Sequence, residues 1–340
     1  MKDIKRVSIV IPCKNEEKYI SRCLKSIINS SYSKDLIEVF ICDGKSQDST
    51  IDIASYYTSN YPFIKILYNE NETTPYGLNL GIKNSTGDVI IILGAHSEIQ
   101  PDYIKNCLRD LDRDKNIACV GGYIDNIYEN DFSRIISYAM SSRFGVGNAY
   151  FRTGRKNGFV DTVAFGAYRR EVFEKIGLFD EDLIRNQDDE FNYRVIRNGY
   201  KIFLSNKIKS KYYVRGSWEK LFKQYYQYGY WKIYVNRKHK TITSKRQIIP
   251  LFFFLFLVFG LFLSFINKSF FYLFIGIIIL YFISALLFSF EKTKGFSNVS
   301  KLMITFFILH LSYGLGYLEG ILDFLVFNKK PNLRNSELSR

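Results

Sequence analysis

The chain has 340 residues, a formal net charge of +14 at pH 7 and 47% hydrophobic residues. The length exceeds that of one typical domain, so composition is best read in parts. Residues 1–200 hold 26 Lys and Arg against 28 Asp and Glu, whereas residues 201–247 hold 13 against one. Because the basic excess is confined to this short segment, it argues against a nucleic-acid-binding protein and favours contact with anionic lipid headgroups.

The first 120 residues alternate short β-branched runs with helical patterns, which predicts a parallel sheet built from βαβ units. The predicted strands are 7–11, 37–42, 63–67, 89–93 and 117–120, and the predicted helices between them are 16–28, 49–57 and 101–111. Ligands of such sheets bind beyond the carboxyl ends of the strands, so the residues after each strand form the candidate site.

The start of the chain and its cysteines bear on the compartment. Met1 to Arg6 is charged and does not have the pattern of a secretory signal. The five cysteines lie in the first 120 residues without metal-type spacing. We therefore expect reduced cytosolic thiols, with neither a disulfide nor a zinc site.

Two polar motifs follow the first two predicted strands: Ile11-Pro12-Cys13-Lys14-Asn15-Glu16-Glu17 and Asp43-Gly44-Lys45-Ser46-Gln47-Asp48-Ser49-Thr50. They resemble the family 2 glycosyltransferases of the GT-A fold, which carry Pro-x-x-Asn-Glu and Asp-Gly-x-Ser-x-Asp-x-Thr at these places. The resemblance implies that Pro12, Asn15 and Glu16 shape a nucleotide pocket, while Asp43 contacts the base and Asp48 helps to fix the loop. Asp48 is equally suited to cap the following helix.

The expected metal motif differs from that of the family. Pro75 to Ile82 and Thr86-Gly87-Asp88 continue the family order, but Gly94-Ala95-His96 stands where relatives place Asp-x-Asp. The resemblance implies donor-binding roles for Gly94, Ala95 and His96. Neutral imidazole suits Mn²⁺ better than Mg²⁺, so His96 is a candidate metal ligand, with direct contact to the diphosphate or ribose as the alternative. A divalent cation, Mn²⁺ or Mg²⁺, thus remains an open cofactor assignment.

A third group of motifs resembles the exopolysaccharide branch of the family, the succinoglycan-biosynthesis β-glucosyltransferases. The segments are 160–173, 177–181 and Asn186-Gln187-Asp188-Asp189-Glu190-Phe191. The resemblance implies that Asp188 is the general base of an inverting displacement, and that Asp189 and Glu190 serve the acceptor side. Removal of a hydroxyl proton opposite a departing diphosphate explains why a carboxylate is needed there. A solvated acidic helix start is the alternative.

Basic and aromatic residues follow. We expect either Lys232 or the pair Arg169 and Arg170 to supply positive charge for the diphosphate or for a lipid phosphate. The segment 224–232 resembles a Gln-x-x-x-Tyr-Gly-x-Trp element of the same branch, which implies that Gln224 and Trp231 serve the acceptor or its diphosphate. The alternative is an interfacial belt of aromatic side chains.

Two apolar runs, 248–266 and 270–290, are each long enough to cross a bilayer and are separated by Lys268. A third run, 302–327, carries His310, Glu319 and Asp323, and either spans, lies in the interface or packs these polar groups against the other helices. The predicted organisation is a cytoplasmic GT-A domain over 1–215, a basic and aromatic interfacial segment over 216–247, a membrane domain over 248–328 and a polar tail over 329–340.

Together these patterns predict a glycosyltransferase anchored in the inner or plasma membrane, with its catalytic domain in the cytoplasm. We expect it to move a sugar from a nucleotide-diphosphate sugar, a UDP-sugar, to a polyprenyl-diphosphate-linked saccharide in exopolysaccharide, capsule or other surface glycan synthesis. Two alternatives stay open. One is transfer directly to a polyprenyl phosphate, and the other is a non-catalytic, nucleotide-binding scaffold of a polysaccharide assembly complex.

Overall fold

The computed structural model describes residues 5–154 and 156–331, which group into two units. The first unit holds residues 5–125, 150–154 and 156–213, and the second holds 126–149 and 214–331. The assignment of 126–149 to the second unit has no counterpart in the sequence pattern. The predicted polar tail, 329–340, lies mostly outside the described residues.

Within the described residues, the sheet has nine strands: β1 (Val7–Cys13), β2 (Ile37–Asp43), β3 (Ile64–Tyr68), β4 (Val89–Ile92), β5 (Ser97–Ile99), β6 (Ile117–Ile127), β7 (Gly158–Val160), β8 (Ala164–Arg169) and β9 (Lys201–Tyr213). Their order is β3-β2-β1-β4-β8-β6-β9-β5, and β7 pairs with β9. The first four strands pair in parallel, and β8 then joins β4 and β6 in antiparallel fashion. The α/β fold is therefore confirmed, with a mixed sheet.

Thirteen α-helices are described: α1 (Ile20–Ile28), α2 (Thr50–Asn60), α3 (Thr74–Asn84), α4 (Tyr103–Leu111), α5 (Asp131–Met140), α6 (Arg143–Val146), α7 (Tyr150–Thr153), α8 (Arg170–Ile176), α9 (Gln187–Arg197), α10 (Trp218–His239), α11 (Ile249–Ser264), α12 (Lys268–Phe290) and α13 (Phe296–Gly320). Short 3₁₀ turns cover Lys34–Leu36 and Lys245–Ile248, and α13 continues into a π-helical turn over Ile321–Val326. Helices α5, α6 and α10 to α13 belong to the second unit.

The core of the first unit lies on both faces of the parallel strands. Every residue of β2 is buried, and in β1 only Pro12 is partly exposed, as expected of central strands covered by helices. On one face, α1 buries residues at helical spacing, namely Ile20, Cys23, Leu24 and Ile27. This packing places the carboxyl ends of β1, β2 and β4 side by side.

On the other face of β1 and β2, α3 packs unusually close because it carries glycine at two successive turns. A Cβ atom on Gly81 would lie 2.4 Å from Val10 Cγ1, and one on Gly77 would lie 3.2 Å from Asn69 Nδ2. Only hydrogen fits at Gly81 without a shift of the strand. The glycines of the Pro75-to-Ile82 motif therefore hold a helix against the sheet.

In the second unit, three segments are long and apolar enough to cross a membrane by length and composition: Lys245–Ser264, Lys268–Phe290 and Phe296–Val326. The buried share differs between them, at 6%, 11% and 44%. His310 and Glu319 of α13 and Asp323 of the π-helical turn all have partners on other segments, namely Tyr281, Tyr226 and Tyr230. Pairing of this kind is expected for polar groups in an apolar setting.

Candidate active site

The loops after β1 and β2 are joined to each other by hydrogen bonds. The Asn15 amide donates to Ser46 Oγ at 2.9 Å, the Gln47 amide donates to Asn15 Oδ1 at 2.8 Å, and the Glu16 amide donates to Thr50 Oγ1 at 2.7 Å. Asn15 has φ 55°, a conformation that asparagine tolerates better than most residues. The structure thus brings the two predicted nucleotide-binding motifs together and gives Asn15 a definite role in joining them.

Asp43 lies at the base of these loops and is 2% exposed. Its Oδ1 accepts from Ser46 Oγ at 2.5 Å and its Oδ2 accepts from the Ser46 amide at 3.1 Å. The Cys13 thiol also points to Asp43, and burial, together with that carboxylate, raises the pKa of Cys13 well above its usual range. Asp43 therefore shapes the loop around Ser46, and Cys13 stays a neutral thiol.

Asp48 helps to fix the loops, whereas the N-cap position of α2 is held by Ser49. Asp48 Oδ1 accepts from the Thr50 amide at 3.0 Å, which satisfies a donor at the start of α2, and its Oδ2 accepts from the Glu17 amide of the first loop at 3.2 Å. Burial disfavours the charged carboxylate, but the hydrogen bonds from Thr50 and Glu17 outweigh this, so the pKa of Asp48 is lowered.

Gly44 provides a close approach between backbone segments. A Cβ atom there would lie 2.7 Å from the carbonyl oxygen of Glu72, in the loop before α3. The Asn69 amide of that loop donates to the Asp43 carbonyl at 2.7 Å. Gly44 is therefore required for packing within the protein, whatever it does for a ligand.

Gly94, Ala95 and His96 follow β4 and bring the imidazole beside the first loop. His96 Nδ1 lies 3.5 Å from Glu16 Oε1, and both side chains are largely enclosed, with 17% and 8% of their surfaces exposed. The imidazole packs edge-on to Tyr212, with ring centroids 4.9 Å apart. Gly94 leaves room for this arrangement, since its Cβ would lie 3.1 Å from His96 Cε1. Two predicted donor-binding residues from separate motifs thus meet.

The described residues contain no group of three or more His, Cys, Asp or Glu side chains placed to hold a metal ion. The neighbouring Glu16 Oε1 and His96 Nδ1 offer one oxygen and one nitrogen donor. Such a pair fits a divalent cation only where a substrate supplies the remaining ligands, as nucleotide phosphates do. Glu98, two residues after His96, does not add a ligand to this pair, because its carboxylate bonds Lys211 and Tyr213 of β9.

The predicted base, Asp188, lies in the first turn of α9 and is exposed. The preceding Asn186 takes the left-handed conformation, with φ 62°, and turns the chain into the helix. Asp188 Oδ1 accepts from the Asp189 amide at 2.9 Å. Its negative charge acts on Tyr168, whose pKa is raised first by burial and further by Cys119 and Asp188. Asp188 is thus presented at the surface beside the buried Tyr168.

Glu190 has a different environment from its two acidic neighbours. It is fully buried and its Oε1 forms an ion pair with Arg194 Nε at 2.9 Å. The Arg194 guanidinium also donates to the carbonyls of Ile176 and Leu178 at 2.9 and 2.7 Å. Glu190 therefore holds Arg194, which anchors α9 to the end of α8 and to the loop after it. Of its two acidic neighbours, Asp188 is exposed and Asp189 is half-buried.

Asn79 shapes the site although no sequence motif assigns it a role. It is 2% exposed and bridges α3 to the loop that precedes α9. Its Nδ2 donates to the Phe179 carbonyl at 2.9 Å and to Glu181 Oε1 at 2.8 Å, and its Oδ1 accepts from the Phe179 amide at 3.0 Å. The Asn79 amide therefore links α3 to the segment that leads to Asp188.

Arg169 and Arg170 do not lie beside the predicted donor-binding residues Gly94, Ala95 and His96. Arg169 pairs with Val89 at the start of β4, whereas Gly94 follows the other end of that strand. At ~3.3 Å per residue, β4 separates the two positions by more than about 10 Å. Arg169 donates to the carbonyls of Ile117 and Leu111, and Arg170 donates to that of Gly87 and to Ser85 Oγ. Both guanidinium groups therefore bond backbone carbonyls near the amino end of β4, away from the residues that follow its carboxyl end.

Gln224 and Trp231 lie in the second unit, on α10, and both are buried. Gln224 Nε2 donates to Tyr228 Oη at 2.9 Å, within the same helix. Between them, Gly229 brings α10 against α13, because a Cβ atom there would lie 2.1 Å from the Tyr313 carbonyl oxygen. The Gln-x-x-x-Tyr-Gly-x-Trp element therefore forms a helix-packing contact, which neither of its two sequence interpretations anticipated.

Comparison with known proteins places these features in a family. Residues 8–177 match the model of glycosyl transferase family 2. The chain is 38% identical over 230 residues to the dolichyl N-acetyl-alpha-D-glucosaminyl phosphate 3-beta-D-2,3-diacetamido-2,3-dideoxy-beta-D-glucuronosyltransferase of Methanococcus voltae, an alignment that covers 66% of this chain and 71% of that protein. It is 28% identical over 246 residues to the succinoglycan biosynthesis protein ExoA of Rhizobium meliloti, covering 72% and 74%.

Among solved structures, a mannosyltransferase from Pyrobaculum calidifontis in complex with GDP-Man and Mn²⁺ superposes with a TM-score of 0.62 at 15% identity, covering 95% of this chain and 88% of that one. At this identity the likeness concerns the fold. The family match, the relatives and the fold agree with the motifs described above. The chain belongs to glycosyl transferase family 2 and is a glycosyltransferase with a GT-A catalytic fold.

Proposed function

We propose that the protein is an inverting enzyme that moves a sugar from a nucleotide-diphosphate sugar to a polyprenyl-diphosphate-linked saccharide during synthesis of a cell-surface glycan. The observation that carries the proposal is the exposed Asp188 at the start of an anchored helix, in the same unit as the joined loops after β1 and β2. A lipid-linked acceptor is supported by the M. voltae relative, which is named for a dolichyl-linked sugar phosphate, and the surface glycan is supported by ExoA, which is named for succinoglycan biosynthesis.

On the donor side, the pocket is formed by Pro12, Asn15, Glu16, Asp43 and Asp48 together with Gly94, Ala95 and His96. Asn15 and Asp48 fix the loops, and Asp43 holds Ser46, so the two loops are preorganised for the nucleotide. A UDP-sugar is the proposed donor. Loops that are preorganised in this way need little rearrangement when the diphosphate departs.

Glu16 and His96 are the residues that would hold a divalent cation, with the donor phosphates as its other ligands. When bound, such an ion neutralises the charge that develops on the leaving diphosphate. An imidazole and a carboxylate favour Mn²⁺ over Mg²⁺ in this position.

On the acceptor side, Asp188 accepts the proton of the attacking hydroxyl as the new glycosidic bond forms and the bond to the diphosphate breaks. One displacement of this kind inverts the anomeric centre. Asp189 faces the acceptor beside it, while Glu190 and Asn79 position α9. The C-terminal apolar helices anchor the enzyme in the inner or plasma membrane, with residues 1–215 as the cytoplasmic catalytic domain.

The proposal is tested with membranes from cells that express the chain. They are incubated with labelled UDP-sugars and GDP-sugars, with and without Mn²⁺, and the lipid extract is counted. We expect one donor to label the extract and Asp188→Asn to abolish that label. Unchanged label in the Asp188→Asn variant would remove the assigned base and favour a polyprenyl phosphate acceptor. Folded protein that binds UDP but labels no lipid with any donor would favour a scaffold.

A further inference from the structure

The contacts described between helix α13 and the hairpin of α11 and α12 lie toward the base of the hairpin, the end at which α11 begins and α12 ends. Tyr281 Oη lies 2.9 Å from His310 Nδ1, and the ring of Phe253 stacks on Tyr281 with centroids 4.5 Å apart. A Cβ atom on Gly314 would lie 2.3 Å from the Pro250 carbonyl oxygen. These contacts join α13 to the first turns of α11 and to the second half of α12.

The rest of the hairpin packs on itself. The rings of Phe256 and Phe274 are tilted against each other with centroids 5.3 Å apart, and Gly260 packs against Phe274. Within the described α11 and α12, the buried residues are Leu251, Ala285 and Ser289, all near the base. A third helix running beside the hairpin through a bilayer would bury side chains along the whole length of α11 and α12. The buried side chains of these two helices lie near the base instead.

Helix α13 instead runs beside α10. Trp218 Nε1 donates to Thr305 Oγ1 at 2.9 Å near the start of α10, and Tyr230 Oη donates to Asp323 Oδ2 at 3.0 Å further along both segments. Between these points Gly316 and Gly320 bring α13 against α10, since their Cβ atoms would lie 2.1 and 2.6 Å from the carbonyl oxygens of Tyr226 and Tyr230. Small residues at this spacing let two helices pack backbone to backbone.

This pairing limits where α13 can lie in a membrane. Helix α10 carries six charged side chains, Glu219, Lys220, Lys223, Lys232, Arg237 and Lys238. Because α10 accompanies α13 from Thr305 to Asp323, a spanning α13 would take much of that charge into the hydrocarbon core. Ionisable side chains are costly there unless they line a functional path.

We propose that α11 and α12 are the two spans, and that the pair α10–α13 is a membrane-interface surface lying among the headgroups at the base of the hairpin. Lys245–Ser264 covers 20 residues, or about 30 Å at ~1.5 Å per residue, the thickness of a hydrocarbon core. Pro250 to Phe254 then lies about 8 to 14 Å from Lys245, close to the depth that interfacial helices reach.

The basic side chains agree with this placement. Lys245, Lys292, Lys294, Lys329 and Lys330 all fall at the base or at the end of the interfacial pair, whereas the turn at the tip carries Lys268. Anionic headgroups are the partner that this surface fits. The inference rests on membrane anchoring within the proposed function, but its test reads topology and needs no transfer activity.

The test labels single introduced cysteines with a membrane-impermeant maleimide in sealed vesicles of known orientation. Exposed positions are used, namely Lys245→Cys, Ser269→Cys, Lys294→Cys and Lys330→Cys in the full chain. Unsubstituted protein is the control, because its five cysteines are buried. We expect Lys245→Cys, Lys294→Cys and Lys330→Cys to label from one side and Ser269→Cys from the other. Labelling of Lys330→Cys from the Ser269 side would show that α13 spans, and labelling of all four from one side would show that the hairpin does not cross; either result overturns the proposal.

A second measurement uses the tryptophans, since the chain has two and both lie on α10. In liposomes that contain lipids brominated at different depths, we expect shallow bromines to quench the fluorescence more than bromines near the bilayer centre. Stronger quenching from the centre would contradict an interfacial α10.

Discussion

Replacement of Asn79 by alanine tests whether the segment leading to Asp188 is held from α3. The change removes two hydrogen bonds to the backbone of Phe179 and one to the Glu181 carboxylate, all at 2.8 to 3.0 Å. A neutral hydrogen bond contributes roughly 1 kcal/mol and one to a charged group roughly 1.5–3 kcal/mol, so the loss is about 3–5 kcal/mol. For a unit of this size that corresponds to a fall of roughly 10 °C in Tm.

The measurement is thermal unfolding of the purified full chain in detergent, combined with the transfer rate at a temperature at which the variant stays folded. We expect kcat to fall more than the affinity for the donor nucleotide, because α9 is displaced while the loops after β1 and β2 remain joined. Asn84→Ala is the matched control, since Asn84 lies on the same helix, is exposed, and bonds only the Leu80 carbonyl among its described partners. Equal Tm and kcat for the two variants would refute the reasoning.

Three further predictions follow from local geometry. Gly81→Ala should lower Tm although alanine favours a helix by ~1 kcal/mol, because the new methyl group would lie 2.4 Å from Val10 Cγ1. Gly77→Ala should lower Tm less, and equal shifts of Tm in the two variants would contradict the packing argument. Asp48→Asn should be less stable than wild type at neutral pH. The pKa of Asp48 is lowered in the folded state, so the stabilisation by its carboxylate is complete above the unfolded value of ~3.9 and is lost as pH falls through the folded value. The difference in denaturation midpoint between wild type and Asp48→Asn should therefore shrink below about pH 4. A difference that stays constant with pH would argue against a role of the carboxylate. His96→Ala should raise the Mn²⁺ concentration for half-maximal transfer roughly 10-fold or more, whereas an unchanged midpoint would make His96 a direct donor contact.

The parallel half of the fold could be predicted from sequence because its strands are buried on both faces and read as apolar runs between turn residues. The antiparallel half could not. A run of β-branched residues does not reveal the direction of its partner, so the strand predicted over 117–120 was expected in the parallel sheet but lies antiparallel to β8. Strand β9 was missed, although its second half alternates buried and exposed residues up to Tyr212.

For the site, the motifs located the two joined loops and Asp188, but side-chain partners decided which polar residues face outward. Glu190 and Asp188 are two residues apart in one acidic run, yet one is enclosed by Arg194 and the other is exposed. Asn79 carried no signal of its own, because a buried amide acts through partners about 100 residues away. The helix predicted from Glu16 begins at Ile20, since the amides of Glu16 and Glu17 bond the second loop.

The most direct test of the account compares the single-turnover transfer rates of Asp188→Asn and Asp189→Asn, with donor binding measured on the same preparations. If Asp188 is the base, its replacement should lower the rate by about 10²- to 10⁴-fold with little change in donor affinity. Asp189→Asn, one residue along the same helix turn, should stay within about 10-fold of wild type, below the usual contribution of a general base. An Asp188→Asn enzyme that transfers sugar as fast as the Asp189→Asn enzyme would contradict the central claim.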